Sequence, residues 1–194
     1  MNILRITGRC IADPPPADWR GQLAARLGGK PRRIGIWAEL GMYGALQCMA
    51  DAGETQLPAQ AGLMLSSQHG PVKAMWSAFE QACEDLPMPL TFLQTQPSQL
   101  LATLAAQLSW RGDARFISHA DTHGLLCLAA AQNNRDGLLL GWVDEAGGSR
   151  SVWLRLVSCA EPTEELQKLD SFEKALAQAR YLRITPAQTA MFLS

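Results

Sequence analysis

Apolar and polar positions recur along this chain with two periods, one near two residues and one near 3.6, and these separate strands from helices. Over Asn2–Arg9, Leu4 and Ile6 share one side of an extended chain while Ile3 and Arg5 share the other, which predicts a strand closed by Gly8. A stiff loop, Asp13–Asp18, leads to a short helix over Trp19–Leu27 that Gly28, Gly29 and Pro31 stop. A longer helix over Ile36–Ala52 carries Leu40, Tyr43, Ala45, Leu46 and Met49 as its apolar face and stops at Gly53. Gly62–Ser67 reads as a short buried strand. Gly70-Pro71 opens a helix that runs to Glu84, and the Pro87/Pro89 stretch leads through Thr91–Gln96 into a helix over Pro97–Leu108. Arg115–His119 is the third strand and Thr122–Asn133 a buried helix of small and apolar residues. Leu138–Val143 and Val152–Val157 are strands joined by the turn Asp144–Ser149, with Gly-Gly at its tip. Pro162–Tyr181 places Leu166, Leu169, Phe172 and Leu176 at helical spacing, with Pro162 in the first turn.

Strands that alternate with helices in this way predict an α/β fold: a mixed, mostly parallel five-stranded sheet with helices on both faces, the final hairpin adding an antiparallel edge. The expected organisation is one domain over residues 1–160 and a C-terminal helical extension over 161–194.

Composition narrows the function. The 194 residues carry 17 Lys+Arg against 18 Asp+Glu, a net charge of −1, so no global field draws the chain to nucleic acid or to an anionic membrane. With 47% hydrophobic and 18% charged residues the chain is not disordered, and its thin charge points to a surface covered by a partner. No apolar run approaches the roughly 20 residues that span a bilayer, and no signal peptide is expected at the N-terminus. Cys10, Cys48, Cys83, Cys127 and Cys159 are widely spaced, odd in number and without a CxxC, which suits reduced thiols in the cytoplasm rather than disulfides or zinc. Gly28-Gly29-Lys30 is followed by Pro31, where a phosphate loop needs Ser or Thr. The six tryptophans are not interleaved with basic residues, so packing, not base stacking, is their expected role. Arg32-Arg33 is too short for nucleic acid but fits an acidic partner.

Several short segments, in order, carry a family resemblance. They are Ile6-Thr-Gly8, Ala45-Leu46 with Asp51-Ala-Gly53, Leu65-Ser-Ser-Gln-His-Gly70, Pro89-Leu-Thr-Phe92, Gln96-Pro-Ser98, Ser118–Ala131 and Leu140-Gly-Trp-Val-Asp-Glu145. At these spacings the chain resembles the N-terminal half of the thiolase-fold β-ketoacyl synthases. By that correspondence Asp121 stands at the strand-to-helix turn where a ketosynthase has its nucleophilic cysteine. A helix N-terminus would hold a carboxylate as it holds a thiolate, but a carboxylate cannot sustain the thioester exchange of condensation. Cys127 is no replacement, being inside the predicted helix. The histidine-bearing second half of a ketosynthase is likewise not expected here. The Asp121-Thr122 pair, Gly70 and Asp144-Glu145 resemble a subgroup of chain-length-factor-like subunits of bacterial aryl-polyene-type pathways, which pair with a complete ketosynthase; Gln96-Pro-Ser98 departs from that subgroup's pattern.

The resemblance implies no catalytic residue, with Asp121 the pseudo-nucleophile, and a pocket or gate formed by His119, Thr122, His123, Leu125 and Leu126. It implies dimerisation through the third strand and the helix before it, with Leu100, Leu101, Leu104, Phe116 and Ile117 at the interface or in this chain's own core. The partner would be a complete ketosynthase or a second copy, with an acyl carrier protein as a further partner. No cofactor is expected. His119, Asp121 and His123 spell His-x-Asp-x-His, but the stretch crosses from strand to helix and no further ligand set follows, so no metal is expected. A helix N-cap is the simplest role for Asp121. Two other readings stay open: a homodimeric scaffold or binding protein, and a small acyl-thioester enzyme using Asp121 with His119 or His123. His69 reads as a locally bonded loop histidine.

Overall fold

The computed structural model describes residues 2–118, 122–132, 135–159 and 177–184. Its elements run β1 (Asn2–Ala12), α1 (Trp19–Leu27), α2 (Ile36–Asp51), β2 (Gly62–Ser67), α3 (Val72–Cys83), α4 (Pro89–Gln94), α5 (Pro97–Gln107), β3 (Ala114–Ser118), α6 (Thr122–Ala131), β4 (Leu138–Asp144), β5 (Arg150–Cys159) and β6 (Tyr181–Ile184). The strands form one six-stranded sheet in the order β3-β2-β4-β5-β1-β6.

The α/β class holds. The sheet itself differs from expectation in count and direction. Only β2 is parallel to its neighbours, β3 and β4; the β4–β5, β5–β1 and β1–β6 ladders are antiparallel. The hairpin is therefore interior, because β1 pairs along the far side of β5. Period-two alternation shows which side chains share a face but not which way a strand runs, so only pairing decides direction. The sixth strand, β6, lies where a helix was expected to reach Tyr181; most of that expected helix, and the extension to which it belongs, falls outside the described residues. The Pro89–Gln94 stretch closes into a helical turn and a half, with Pro89 at its first position, where a missing N–H costs nothing.

Side-chain parity builds two cores. Leu63, Leu65, Leu139 and Val143 point to one face and pack with α2 and α5 through Leu40, Met42, Leu46, Leu100 and Leu104. Met64, Leu138, Leu140, Leu154 and Leu156 point to the other and meet Leu125, Leu126 and Ala129 of α6. Eleven of the 16 residues of α2 are buried, on all sides of the helix rather than along the one face the spacing predicted. Such close packing depends on missing side chains. A Cβ at Gly44 or Gly141 would run into the Trp153 ring, and one at Gly41 into Leu100. At Gly8 the β1–β5 register shifts and α2 approaches so closely that a Cβ would meet the Cys48 carbonyl. Trp153 Nε1 donates to Ser151 Oγ at 3.1 Å, and Ser151 Oγ donates to the Leu40 carbonyl at 3.0 Å, which pairs both buried polar groups.

Candidate functional site

Because β2 is parallel to β3 and β4, the C-terminal ends of these three strands open on one side of the sheet. The chain leaves β2 towards α5 on one face and leaves β3 into α6 on the other, an arrangement that puts a crevice at the strand ends. The loop after β2 and the residues after β4 meet there. Gln68 N donates to Asp144 Oδ2 at 3.1 Å, and His69 Nδ1 lies 3.1 Å from Asp144 Oδ1. Gly70, with φ 61°, donates its N–H to Ser67 Oγ at 2.7 Å, a left-handed turn that glycine adopts without strain. Glu145 Oε1 accepts from Lys73 N at 2.8 Å in the first turn of α3, a helix whose N-cap position, Pro71, supplies no side-chain bond.

Asp144 and Glu145 are each only 4% exposed. Both oxygens of Asp144 are used to clamp the loop. Glu145 Oε2 has no hydrogen-bond partner, and burial pushes its carboxyl pKa up, partly offset by the Lys73 amide. The sequence offered Asp144-Glu145 as the start of a turn and as part of the family resemblance; that these adjacent acids are buried is legible once the strand is known to end inside the molecule. His69 is held, with its side chain 45% exposed, by a buried carboxylate 75 positions away, a partner from the end of the neighbouring strand rather than from its own loop. A cavity of about 260 Å³ lies alongside, between Gly35–Trp37 of the α2 entry, α3, α4 and Glu145.

The segment expected to correspond to a nucleophile turn, 119–121, lies outside the described residues, as do the side chains of Thr122, His123 and Cys127. Leu125 and Leu126 are buried against the sheet, each 1% exposed. Leu100 and Leu104 are fully buried against α2 and Leu101 nearly so; in this chain they serve its own core. Phe116 and Ile117 are half-buried: Phe116 meets Trp37 edge-on at 6.3 Å, and Ile117 packs on the opposite core. What β3 does present is a free edge, since among the described residues no strand pairs with its outer side.

Two of the described cysteines sit where a thiolate is disfavoured. Burial, reinforced by Asp51, pushes the Cys10 thiol up to about 11, and burial raises Cys48 further. Among the described residues no group of three His, Cys, Asp or Glu is placed to hold a metal ion, and no helix is long and apolar enough to cross a membrane.

A second feature was not anticipated. Eight large apolar side chains between positions 75 and 93 are exposed, including Trp76 at 62%, Phe79 at 60% and Phe92 at 63%. All of them belong to α3, α4 and the link between them. Helix α3 buries none of its residues and presents Met75, Trp76 and Phe79 outward, with Trp76 and Phe79 edge-to-face at 6.1 Å. The i, i+1, i+4 spacing was visible in the sequence, but it reads equally well as a face turned inward.

No family model matches this sequence, and no curated protein matches it. Solved structures do match. The chain is similar to the ishigamide ketosynthase/chain length factor, with TM-score 0.60 at 16% identity over 83% of this chain and 63% of that one. It is similar to a type II polyketide ketosynthase bound to its acyl carrier protein (AntDE:AntF), with TM-score 0.59 at 10% identity over 81% of this chain and 63% of that one. It also matches the ketosynthase ApeO in complex with its chain length factor ApeC from Xenorhabdus doucetiae, with TM-score 0.56 at 16% identity over 81% of this chain and 79% of that one. The fold is that of the ketosynthase and chain-length-factor subunits. In the first two the chain spans less than two thirds of its neighbour's length.

Proposed function

We propose that this chain is a non-catalytic, chain-length-factor-like subunit that pairs with a complete ketosynthase in fatty acid, polyketide or aryl-polyene-type biosynthesis. The observation that carries the reading is the apolar surface of α3 and α4, in contact through α5 with the free edge of β3. A surface of this kind on a protein with so little charge marks an association site. The ketosynthase–chain length factor complexes among the structural neighbours support a ketosynthase as the occupant, and the Asp121 correspondence supports a subunit without its own nucleophile. In this reading the protein works in the cytoplasm without a cofactor, residues 1–160 form the ketosynthase-like half, and Leu125 and Leu126 beneath the turn influence the length of the partner's product.

Co-expression with the complete ketosynthase encoded nearest to this chain tests it. The expected result is a stable one-to-one complex that Trp76→Ser with Phe92→Ser disrupts, and a shift in product length with Leu125→Ala, whose folding is checked by thermal melting. A wild-type chain that fails to co-purify overturns the reading. Self-association through the same surface, seen by sedimentation, replaces it with the homodimeric scaffold. Turnover of an acyl thioester by the isolated chain, abolished in Asp121→Asn, replaces it with the enzyme.

A further inference from the structure

Two buried acceptors line one cavity and have nothing to accept from. Glu145 is 4% exposed; its Oε1 takes the Lys73 N–H at 2.8 Å, and its Oε2 has no hydrogen-bond partner among the described residues. Gln81 Oε1 is likewise buried without a partner. Both residues line the cavity of about 260 Å³ between the α2 entry, α3 and α4. Lys73, Ser77 and Gln81, spaced by four, border it from α3, while Met75, Trp76 and Phe79 of the same helix stand exposed. Trp37 and Ala74 give the cavity apolar walls, and the exposed Lys73 and Ser77 leave its mouth at the surface. No cation answers the carboxylate: the Lys73 side chain is exposed, and no ion pair reaches Glu145 among the described residues.

We infer that this cavity receives a cationic side chain, arginine or lysine, from the subunit that covers α3 and α4. An ionised carboxylate held in such a place lacks a counter-charge. Burial accordingly raises the Glu145 carboxyl pKa, the Lys73 N–H and charge offset only part of that rise, and neighbouring Asp144 adds to it. Water alone would complete the hydrogen bonds but bring no charge, and an anion would be repelled by both acids. The Gln81 amide can present either its oxygen or its nitrogen, so the carboxylate fixes the sign of the ligand. The volume lies below the roughly 300–1,000 Å³ of sites for drug-sized ligands, which suits one side chain better than a cofactor or a long acyl chain. Apolar walls fit the methylene stem that carries the head of either basic residue. A charged anchor seated in a pocket beside an exposed apolar face is where binding energy in an interface concentrates. The source of the side chain rests on the proposed pairing with a ketosynthase; the chemistry of the cavity does not.

The first arm of the test titrates the isolated full chain with n-propylguanidinium chloride, followed by amide NMR shifts against sodium chloride at equal ionic strength. Saturable shifts are expected at Trp37, Lys73 and Glu145; Glu145→Gln abolishes them and neutral n-propanol does not produce them. Glu145→Gln keeps an oxygen for the Lys73 N–H, and unchanged hydrogen exchange over 72–83 verifies that α3 stays in place. Shifts that fail to saturate, that survive in Glu145→Gln or that n-propanol reproduces overturn the inference. The second arm measures the affinity of the complex with the ketosynthase. Glu145→Gln weakens it at least about tenfold, whereas Glu84→Gln, an equal loss of charge at the exposed end of α3, changes it far less. Wild-type affinity in Glu145→Gln overturns the inference even where the probe binds, because the cavity then serves another ligand. A wild-type chain that forms no complex removes the proposed function and with it the source of the side chain, while the first arm still decides the chemistry of the cavity.

Discussion

Helices α2 and α3 are both rich in apolar residues, and the protein treats them oppositely. Helix α2 is apolar around most of its circumference, carries two glycines, Gly41 and Gly44, where neighbours come closest, and is enclosed by β1, β4, β5, α1 and α5. Helix α3 is amphipathic, and its apolar side faces out. What distinguishes them is not hydrophobicity but surface complementarity. The sheet offers α2 a fitted bed of Trp153, Gly141 and Leu139. To α3 the molecule offers a polar clamp from Glu145 and contact with α4. An apolar face without a bed among the described residues is where a partner is expected.

The comparison can be broken most directly at α2. Gly41→Val forces a side chain into Leu100, and Leu104→Ala opens a cavity beneath the same helix; each is expected to cost about 3 kcal/mol, read by chemical denaturation. A result near zero would mean that α2 is not the rigid centre of the fold. Next in size is the ion pair that ties β5 to the segment after α2. Arg155, 2% exposed, meets Glu54 at 2.8 Å and donates to the Leu156 carbonyl at 3.1 Å. Glu54→Ala leaves a buried guanidinium without its counter-charge, but the half-open carboxylate is screened by water, so about 2 kcal/mol is expected.

At α3 the expected change in stability is small and the change in association large. Trp76→Ser and Phe79→Ser each shift the stability of the isolated chain by no more than about 0.5 kcal/mol, while removing the complex with the partner. A loss of stability as large as that at α2 would show that the face is covered within the chain. The smallest effect is at Glu145. Its carboxyl pKa is raised in the fold by burial, so the stability linked to its protonation is full below the unfolded value and lost as pH rises through the folded one. Glu145→Gln should flatten that decline in pH-dependent melting, and hydrogen exchange of 72–83 should stay protected because the amide oxygen still accepts from Lys73 N. An unaltered pH profile would remove Glu145 as its source.

Much of the fold was legible in the residues themselves. Leu63, Leu65 and Met64 divide between the two cores as strict alternation requires, and Gly28, Gly53 and the Gly147-Gly148 pair mark three ends of elements, each at positive φ. These signals are local: they depend on backbone sterics and on a period of two or 3.6. The candidate site was legible only in part. His69 and Asp144-Glu145 stand out in the sequence, but that β2 and β4 lie side by side, bringing residues 75 positions apart within 3.1 Å, is a matter of pairing. Position Asp121 came into view through resemblance, since nothing in its own neighbours distinguishes a pseudo-nucleophile from a cap.

By itself, then, the sequence determined where elements begin and end and which side chains can share a face. Tertiary structure alone decided that β1 and β6 continue the sheet beyond the hairpin, that α2 is buried around its central turns, and that the apolar face of α3 is left uncovered by the described residues. The reason is physical: an amphipathic pattern states that a face must be buried but not against what, and only the packed chain shows which faces have already found their partner.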